Sequence, residues 1–590
     1  PRRRPDRRRR RRLEDHRVVV DRPPERLRYR FGFLLQRQDE GRSWLDLLPG
    51  GWRCHPLDPF RLLTHPELPL ARHRLGDWEA IALGNAWIEG GGSVAERLAG
   101  IDVDDEAALS GLMDDLCGRF ALVFHREGRV CVLHDPIGSR AVFYHAGATF
   151  AVGSHPLLVA SAVGAAPCPE VAAFMADPGY GERANKYLPG DRTPFRDVLA
   201  LTPNCLIDSM DGAVHRYWPR GRNNPTSIET FDAALDRHLA ALADHVSGRY
   251  HPVFGLTGGV DSRTAIAAFR RRGVAFETVT WRANALAAKE RRIVVALARL
   301  LGVPHHALQT RSGEIGDMAA REAGGMRGPQ RIAPAMLRAF ADRSDLIFLR
   351  GWGGEVLRGY YHFKPGRIKG HTPEEMTRAY MVSPMSEESM AFAQRCFEQF
   401  HVRTESSRLV GLGYDPNDIF YWEHRLGTWA AAGNNELDPA MPSLIVFNGR
   451  RLFTTALGLS PRRRLTKRLL LDAVARYDAA LAGVPLSDVP MSQRLIGILG
   501  PGSLLVAALR RARRLVKRTV ARLPHAAALA CALIGAPWAA TEQGLGRIAF
   551  TASCGQCHSI GGDGIVEYMT LPTSNFRERI RALASDNARL

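Results

Sequence analysis

"VFGLTGGVDSRTAIAAF", residues 253–269, decides the fold of this chain. An apolar run breaks at Thr257, Gly258, Gly259 and Asp261, and apolar residues then resume at helical spacing. Strand, glycine turn, helix is a layout that binds phosphate. Gly258 and Gly259 lack a Cβ, so the backbone can turn sharply and aim N–H groups at an anion, with the positive end of the following helix dipole behind them. Thr257 and Ser262 add hydroxyl donors, and Leu256 is counted with them as a nucleotide contact. Asp261 would repel a phosphate on its own; it makes sense as a magnesium ligand between phosphates. The stretch is not Walker A, because no G-K-[ST] follows, and it is not G-x-G-x-x-G. A plain strand-to-helix turn is the alternative reading.

The surroundings extend this pattern. "FDAALDRHLAALADHV" has helical spacing, "FETVTW" is a second strand candidate ending at Trp281, "KERRIVVALARLLG" a second helix and "DLIFLRG" a third strand. Strands alternating with helices imply a parallel sheet, whose ligands sit at the carboxyl ends of the strands. Trp281 is accordingly taken as a further nucleotide contact. Before residue 222 the pattern differs: "FALVFHREGRVCVLHD", "AVFYHAGATFAVGS" and "NCLIDSMDGAVHRYW" read as hairpins of an antiparallel, sheet-rich unit. "GRNNPTS" at 221–227 is a polar linker. The expected organisation is a basic tail at 1–27, a sheet-rich domain at 28–222, an α/β domain at 228–500, a basic helix at 501–523, a hydrophobic segment at 524–541 and a tail at 542–590.

Charge and cysteine content narrow the function classes. The formal net charge is +19 over 590 residues. Residues 1–12 hold net +8 and residues 510–522 net +7, so two short stretches supply 15 of the 19 and the body is near neutral. Such Arg runs read as solvated tails, and any nucleic-acid affinity from them is non-specific and salt-sensitive. The chain starts without Met, as a fragment would. Lone cysteines inside apolar runs (Cys117, Cys131, Cys205) read as buried reduced thiols of a cytoplasmic protein.

The loop resembles the Ser-Gly-Gly-x-Asp-Ser pyrophosphate loop of ATP pyrophosphatases that split ATP into AMP and pyrophosphate, with Thr257 in place of the first Ser. "FETVTWRANALAAKERRIVVALARLLGVPHH" is similar to the next strand and helix of asparagine synthetases. About 90 residues on, "LRGWGGEVLRGYY" resembles that family's Ser-Gly-Glu-Gly-Ser-Asp-Glu-x-Phe-Gly-Gly-Tyr segment. On this match Gly351 and Gly353 fall on the family's glycines. Glu355 falls where the family has a magnesium-binding Asp, one methylene longer but still a hard oxygen ligand. Trp352 stands where asparagine synthetases have Glu and β-lactam synthetases have Tyr, a position facing the reacting groups, so it points to a different substrate; packing is its alternative role.

"GRFALVFHREGRVCVLHDPIGSRAVFYH" resembles the class II glutamine amidotransferase domain that precedes the synthetase domain in this family. The resemblance therefore implies an α/β and α+β chain of two domains. The first would be an Ntn-hydrolase-like antiparallel β sandwich, and the second an adenine nucleotide α-hydrolase-like parallel sheet with helices. A working glutaminase of this class needs an N-terminal Cys whose α-amine serves as base. Gly32 is present, but Phe31 stands in the Cys slot, behind 30 residues. This departure points toward relatives with a silent amidotransferase domain, such as β-lactam synthetases and lasso-peptide cyclases. The family's Arg-x-Lys segment is also changed: "VPLSDVPMSQRLIG" offers Arg494 and no Lys, so Arg494 is the candidate for stabilising charge in the transition state. In "YWEHRLGTWAAAGNNELDPAMPSLIVFNGRRL", Arg425 and Glu436 are candidate substrate contacts or members of a surface ion pair.

The activity so implied is that of an asparagine synthase (glutamine-hydrolysing)-like, AMP-forming carbon–nitrogen ligase with ATP and Mg2+ as cofactors. Its partners would be small-molecule or peptide carboxylates and amines, with no specific nucleic acid; a homodimer and weak membrane association through 524–541 stay open. Two rivals remain. One is a non-catalytic nucleotide-binding relative. The other is a membrane-tethered protein, because "GLGRIAFTASCGQCHSIGGDG" resembles the start of a class I cytochrome c, with Cys554 and Cys557 as thioether positions and His558 as axial ligand. Only 32 residues follow His558, fewer than that fold needs. A single cluster of this kind is also short of the four ligands a zinc site wants.

Overall fold

The computed structural model describes residues 25–487, apart from 39–47, 76–77, 100, 148, 184, 282–285, 287, 311–312, 327–330, 364–367, 382 and 466. Arg494, the hydrophobic segment 524–541 and the Cys554/Cys557/His558 cluster lie outside the described residues, as does the Arg run at 1–12.

Alternating apolar residues build two antiparallel sheets from the first part of the chain. Their strands are β1 (Phe33–Arg37), β2 (Arg53–Leu57), β3 (Phe60–Thr64), β4 (Leu70–Leu75), β5 (Trp78–Ile88), β6 (Leu116–Arg126), β7 (Arg129–His134), β8 (Phe143–Ala146), β9 (Phe150–Gly153), β10 (Leu199–Ala200), β11 (Cys205–Asp208) and β12 (Val214–Arg216). One sheet runs β10-β8-β9-β1-β3-β2 and the other β12-β11-β7-β6-β5-β4. The period of two in β6 explains the layering. Ala121 and Val123 face inward with Ile81 and Leu83 of β5 and pack on Phe33, Leu35, Phe60 and Leu62 of the opposite sheet. Phe120, Leu122 and Phe124 point the other way, into a second core shared with helix residues such as Leu109, Leu112 and Leu235. A helix over Pro156–Val163 covers the outer face of the first sheet through Val159, against Phe143 and Ala151.

The stretch "RYRFGFLLQ" does not become a strand along its whole length. Pairing starts at Phe33; before it the chain turns tightly, with Tyr29 at φ 46°, Phe31 at φ 58° and the Gly32 N–H donating to the Tyr29 carbonyl at 2.8 Å.

The second architecture is a parallel sheet of β13 (His251–Gly255), β14 (Glu277–Trp281), β15 (His305–Leu308), β16 (Leu346–Arg350) and β17 (Ser443–Ile445), in the order β15-β14-β13-β16-β17. All neighbouring pairs are parallel. The chain moves outward from β13 to β15 and then returns to the other side of β13 with β16. Strand order therefore reverses between β13 and β16, and their carboxyl ends flank the crevice where ligands of such sheets bind. The helix Asp261–Arg271 follows β13 and buries Ala265, Ile266 and Phe269, the last meeting Phe254 edge-on at 5.0 Å. Gly273, at φ +69°, ends it in the left-handed conformation that glycine tolerates. β15 and β17 were not evident in the sequence: one is a short, half-exposed edge strand and the other has three residues after a long helical stretch. Among the described residues, no helix is long and apolar enough to cross a membrane.

Candidate functional site

The loop after β13 is pinned at its base. Leu256 donates its N–H to the Val279 carbonyl at 2.8 Å and accepts from Thr280 Oγ1 at 2.7 Å, so the turn starts from a fixed point beside β14. Thr257 is exposed; its Oγ1 accepts the Gly259 N–H at 3.3 Å and lies 3.4 Å from Ser262 Oγ. The Gly258 N–H points at Glu290 Oε1, 3.5 Å away. A carboxylate oxygen thus faces the donor that the loop offers to anions. Ser487 closes the loop from above, its N–H on the Gly258 carbonyl at 3.0 Å, and a Cβ on Gly258 would come within 2.6 Å of the Ser487 Cβ. Arg263, buried one residue after Ser262, holds that overlying segment by donating to the carbonyls of Leu481, Val484 and Pro485.

The loop after β16 approaches from the other side of the crevice. A Cβ on Gly351 would sit 2.7 Å from the Ser262 nitrogen, so glycine there lets the two loops touch. Gly353 adopts φ +89° and starts the short helix Gly354–Arg358. A Cβ on Gly354 would lie 2.4 Å from Asp261 Oδ1. Gly354 thus joins Gly351 and Gly353, its absent side chain making room for Asp261; nothing in the spacing of the segment marks it as different from an ordinary turn glycine.

Asp261 and Glu355 therefore meet at the switch point, each in the first turn of its helix. Between them stands Arg358. It grips Asp261 with two hydrogen bonds, Nε to Oδ1 at 3.1 Å and Nη2 to Oδ2 at 2.8 Å, and reaches Glu355 Oε1 at 3.6 Å. Glu355 Oε2 is buried with no hydrogen-bond partner. Burial first, and the Asp261 charge second, push the Glu355 carboxyl above its ordinary range. For Arg358 burial opposes the charge, but Asp261 and Glu355 outweigh it and strengthen its hold on the proton. Two hard oxygen donors, one unpartnered, suit a divalent cation that draws its other ligands from phosphate and water. Arg358 competes for the same oxygens. The sequence carried one signal of it: Glu355 and Arg358 have the i, i+3 spacing of a helical ion pair.

Arg425 lies on a π-helical stretch, Phe420–Ala430, in a wall of aromatic rings. Its guanidinium carbon is 4.8 Å from the Tyr360 centroid, 5.5 Å from Tyr187 and Trp429, and 5.9 Å from Tyr421. It donates to Tyr187 Oη at 3.3 Å, and its Nε is buried without a hydrogen-bond partner. The surface ion pair that the sequence left open is not what forms, because Arg425 and Glu436 are both buried. Trp352 is half-buried, its ring tilted 37° to that of Trp429 at 4.7 Å between centroids, with the Arg350 guanidinium 4.2 Å from its ring. Trp281 ends β14 and packs across Gly255 towards Phe348 at 5.9 Å. Residues 256–262, 351–355 and Trp281 thus gather at the carboxyl ends of β13, β14 and β16.

In the antiparallel half, Phe31 is the residue that the sequence resemblance sets against a nucleophilic Cys. It is buried, and its carbonyl accepts from Arg140 at 3.1 Å. Arg140 and Arg119 converge on Asp438, Arg119 through bonds of 2.5 and 2.8 Å, which ties the sandwich to the segment before β17.

No family model and no curated protein matches the chain. Among solved structures, the allosteric regulatory enzyme of purine biosynthesis aligns at 12% identity over 56% of this chain and 70% of its own, with a TM-score of 0.19. Glutamine phosphoribosylpyrophosphate (PRPP) amidotransferase from B. subtilis, complexed with ADP and GMP, aligns at 11% identity over 68% of this chain and 91% of its own, with a TM-score of 0.20. Superpositions this loose carry no argument about activity.

Proposed function

We propose that the chain is a Mg·ATP-dependent ligase of the asparagine synthetase type, which adenylates a carboxylate with release of pyrophosphate and transfers the acyl group to an amine. The observation that carries this reading is the meeting of Asp261 and Glu355, through two glycine loops, at the switch point of a parallel sheet. Backbone N–H groups of Gly258 and Gly259, with the hydroxyls of Thr257 and Ser262, would cradle the β- and γ-phosphates. Leu256 and Trp281 would border the base, and Gly351 and Gly353 would let the β16 loop close against the β13 loop beside the nucleotide. Asp261 and Glu355 would hold magnesium, which supplies charge neutralisation to the phosphates.

The chain's own groups do the remaining work. Arg425, a buried cation set among aromatic rings, would orient the substrate carboxylate as the α-phosphorus is attacked. Trp352 would shape the acceptor side, and Arg494 is proposed to stabilise charge there. The face-to-face antiparallel sheets, with a helix outside each, support an Ntn-hydrolase-like, glutaminase-silent first domain. Phe31 offers no nucleophile, so the amine would be carried by the substrate or bound separately rather than released from glutamine. A cytoplasmic setting follows from the need for ATP.

One observation favours a second reading, a nucleotide binder without turnover: Arg358 already occupies both oxygens of Asp261. Incubating the full chain with ATP and a cell extract, then following pyrophosphate, separates the two. The ligase reading expects AMP and pyrophosphate in equal amounts, abolished by Asp261→Asn. Bound but uncleaved ATP would support the binder.

A further inference from the structure

A second cluster of ligand-type side chains lies away from the crevice, where the antiparallel sandwich meets the helix Ile228–Ser247. Glu89 follows β5, Cys117 is the second residue of β6 and His238 sits mid-helix. Their donor atoms lie within 4.8 Å of one another. Cys117 Sγ is 3.6 Å from His238 Nδ1, which is 3.6 Å from Glu89 Oε1. For a tetrahedral zinc ion with Zn–S of about 2.3 Å and Zn–N or Zn–O of about 2.1 Å, the sulfur–nitrogen edge is about 3.6 Å and the nitrogen–oxygen edge about 3.4 Å. We propose that Glu89, Cys117 and His238 form a zinc site that pins the sandwich to this helix.

Three further observations point to a cation. His238 Nε2 lies 2.7 Å from the Val446 carbonyl and donates to it, which turns the lone pair of Nδ1 toward Cys117 and Glu89; metal-bound histidines are oriented in this way. Glu89 Oε1 has no hydrogen-bond partner, although its side chain is only 6% exposed, and it faces that lone pair. A Cys117 thiol proton can satisfy His238 but leaves this oxygen orphaned. Gly449 has the ordinary extended angles φ −148° and ψ 126°, so its backbone does not require glycine. A Cβ there would stand 2.7 Å from His238 Nδ1 and 3.2 Å from Cys117 Sγ, so glycine keeps open the space beside two of the three donors. In the other two clusters of this kind an arginine is already closely paired, Arg464 with Asp418 and Arg129 with Asp208, whereas Arg451 faces Glu89 at 3.6 Å on its other oxygen, Oε2, and leaves Oε1 toward His238. Zinc binding releases the Cys117 thiol proton to solvent, and thiolate, carboxylate and neutral imidazole then balance the ion's two charges. The fourth position would go to water or a backbone carbonyl.

The test uses the full chain carrying Cys531→Ser, Cys554→Ser and Cys557→Ser, so that the C-terminal cysteines cannot contribute. After dialysis, elemental analysis should give one zinc per chain, with zinc-edge X-ray absorption reporting one sulfur among nitrogen and oxygen ligands. Cobalt replacement should produce a single-thiolate charge-transfer band. Adding Cys117→Ala should weaken zinc binding by more than roughly 100-fold, the upper end of what losing an outer partner costs. If that variant does not fold, the metal content and absorption spectrum of the parent decide. A parent without zinc, a shell with no sulfur or several, or a Cys117→Ala protein that keeps its zinc overturns the proposal.

Discussion

Replacing Arg358 by Leu removes the cation that spans Asp261 and Glu355. The three side chains are 14%, 15% and 19% exposed, so water screens the loss only in part. Deleting one partner of a buried ion pair costs about 3–5 kcal/mol, and residual exposure argues for the lower figure. About 3 kcal/mol corresponds to a fall in melting temperature of roughly 6–12 °C for a domain of 150–250 residues. The two carboxylates then form a stronger cation site, because the Arg358 guanidinium no longer competes for their oxygens. Magnesium at about 100 times its Kd would return about 2.7 kcal/mol to the variant, whereas without nucleotide it would shift the parent protein little. Scanning fluorimetry in MgCl2 against KCl of equal ionic strength measures both effects. A variant that melts within about 1 °C of the parent, or equal magnesium shifts in the two proteins, would refute the reasoning.

Three other outcomes are expected. Burial pushes the Glu322 carboxyl from 4.5 up to about 8, although it accepts the Tyr29 N–H at 3.0 Å. A folded value above the unfolded one means that its stabilising neutral form is fully effective below pH 4.5 and is lost as pH rises through about 8, on the order of 5 kcal/mol in all. Glu322→Gln should therefore melt above the parent at pH near 9 and level with it near pH 4; equal melting at both would contradict the assignment. Arg425→Met should raise the KM for the carboxylate substrate by about tenfold or more while leaving ATP affinity unchanged, and the opposite split would remove Arg425 from the substrate side. Phe31→Cys should release no glutamate from glutamine, because residue 31 is preceded by 30 others and has no free α-amine. Measurable glutaminase activity would show that the amine is dispensable here.

What could be read from the sequence was local. β13, its glycine loop and the helix Asp261–Arg271 announce themselves by an apolar run, two glycines and helical spacing within 20 residues. The β6–β7, β8–β9 and β11–β12 hairpins do the same through alternation around glycine-bearing turns. β15 and β17 carry too few apolar residues to register, and only pairing with β14 and β16 makes them strands. Long-range partners leave no periodic trace: Arg119 is 319 residues from Asp438, and Tyr29 is 293 from Glu322. Arg358 lay within a quoted segment, yet its role emerges only when folding brings the β13 and β16 loops together. The Glu89, Cys117 and His238 cluster escaped for the same reason, since no ligand spacing links residues drawn from a strand end, a neighbouring strand and a distant helix.

The central claim is that Asp261 and the glycine loop seat Mg·ATP. Calorimetric titration of the full chain with ATP, with and without magnesium, tests it directly. The account predicts one ATP bound per chain, dependence on magnesium, and affinity reduced by at least about tenfold in Asp261→Asn. No binding at millimolar ATP, or binding that Asp261→Asn leaves unchanged, would contradict it.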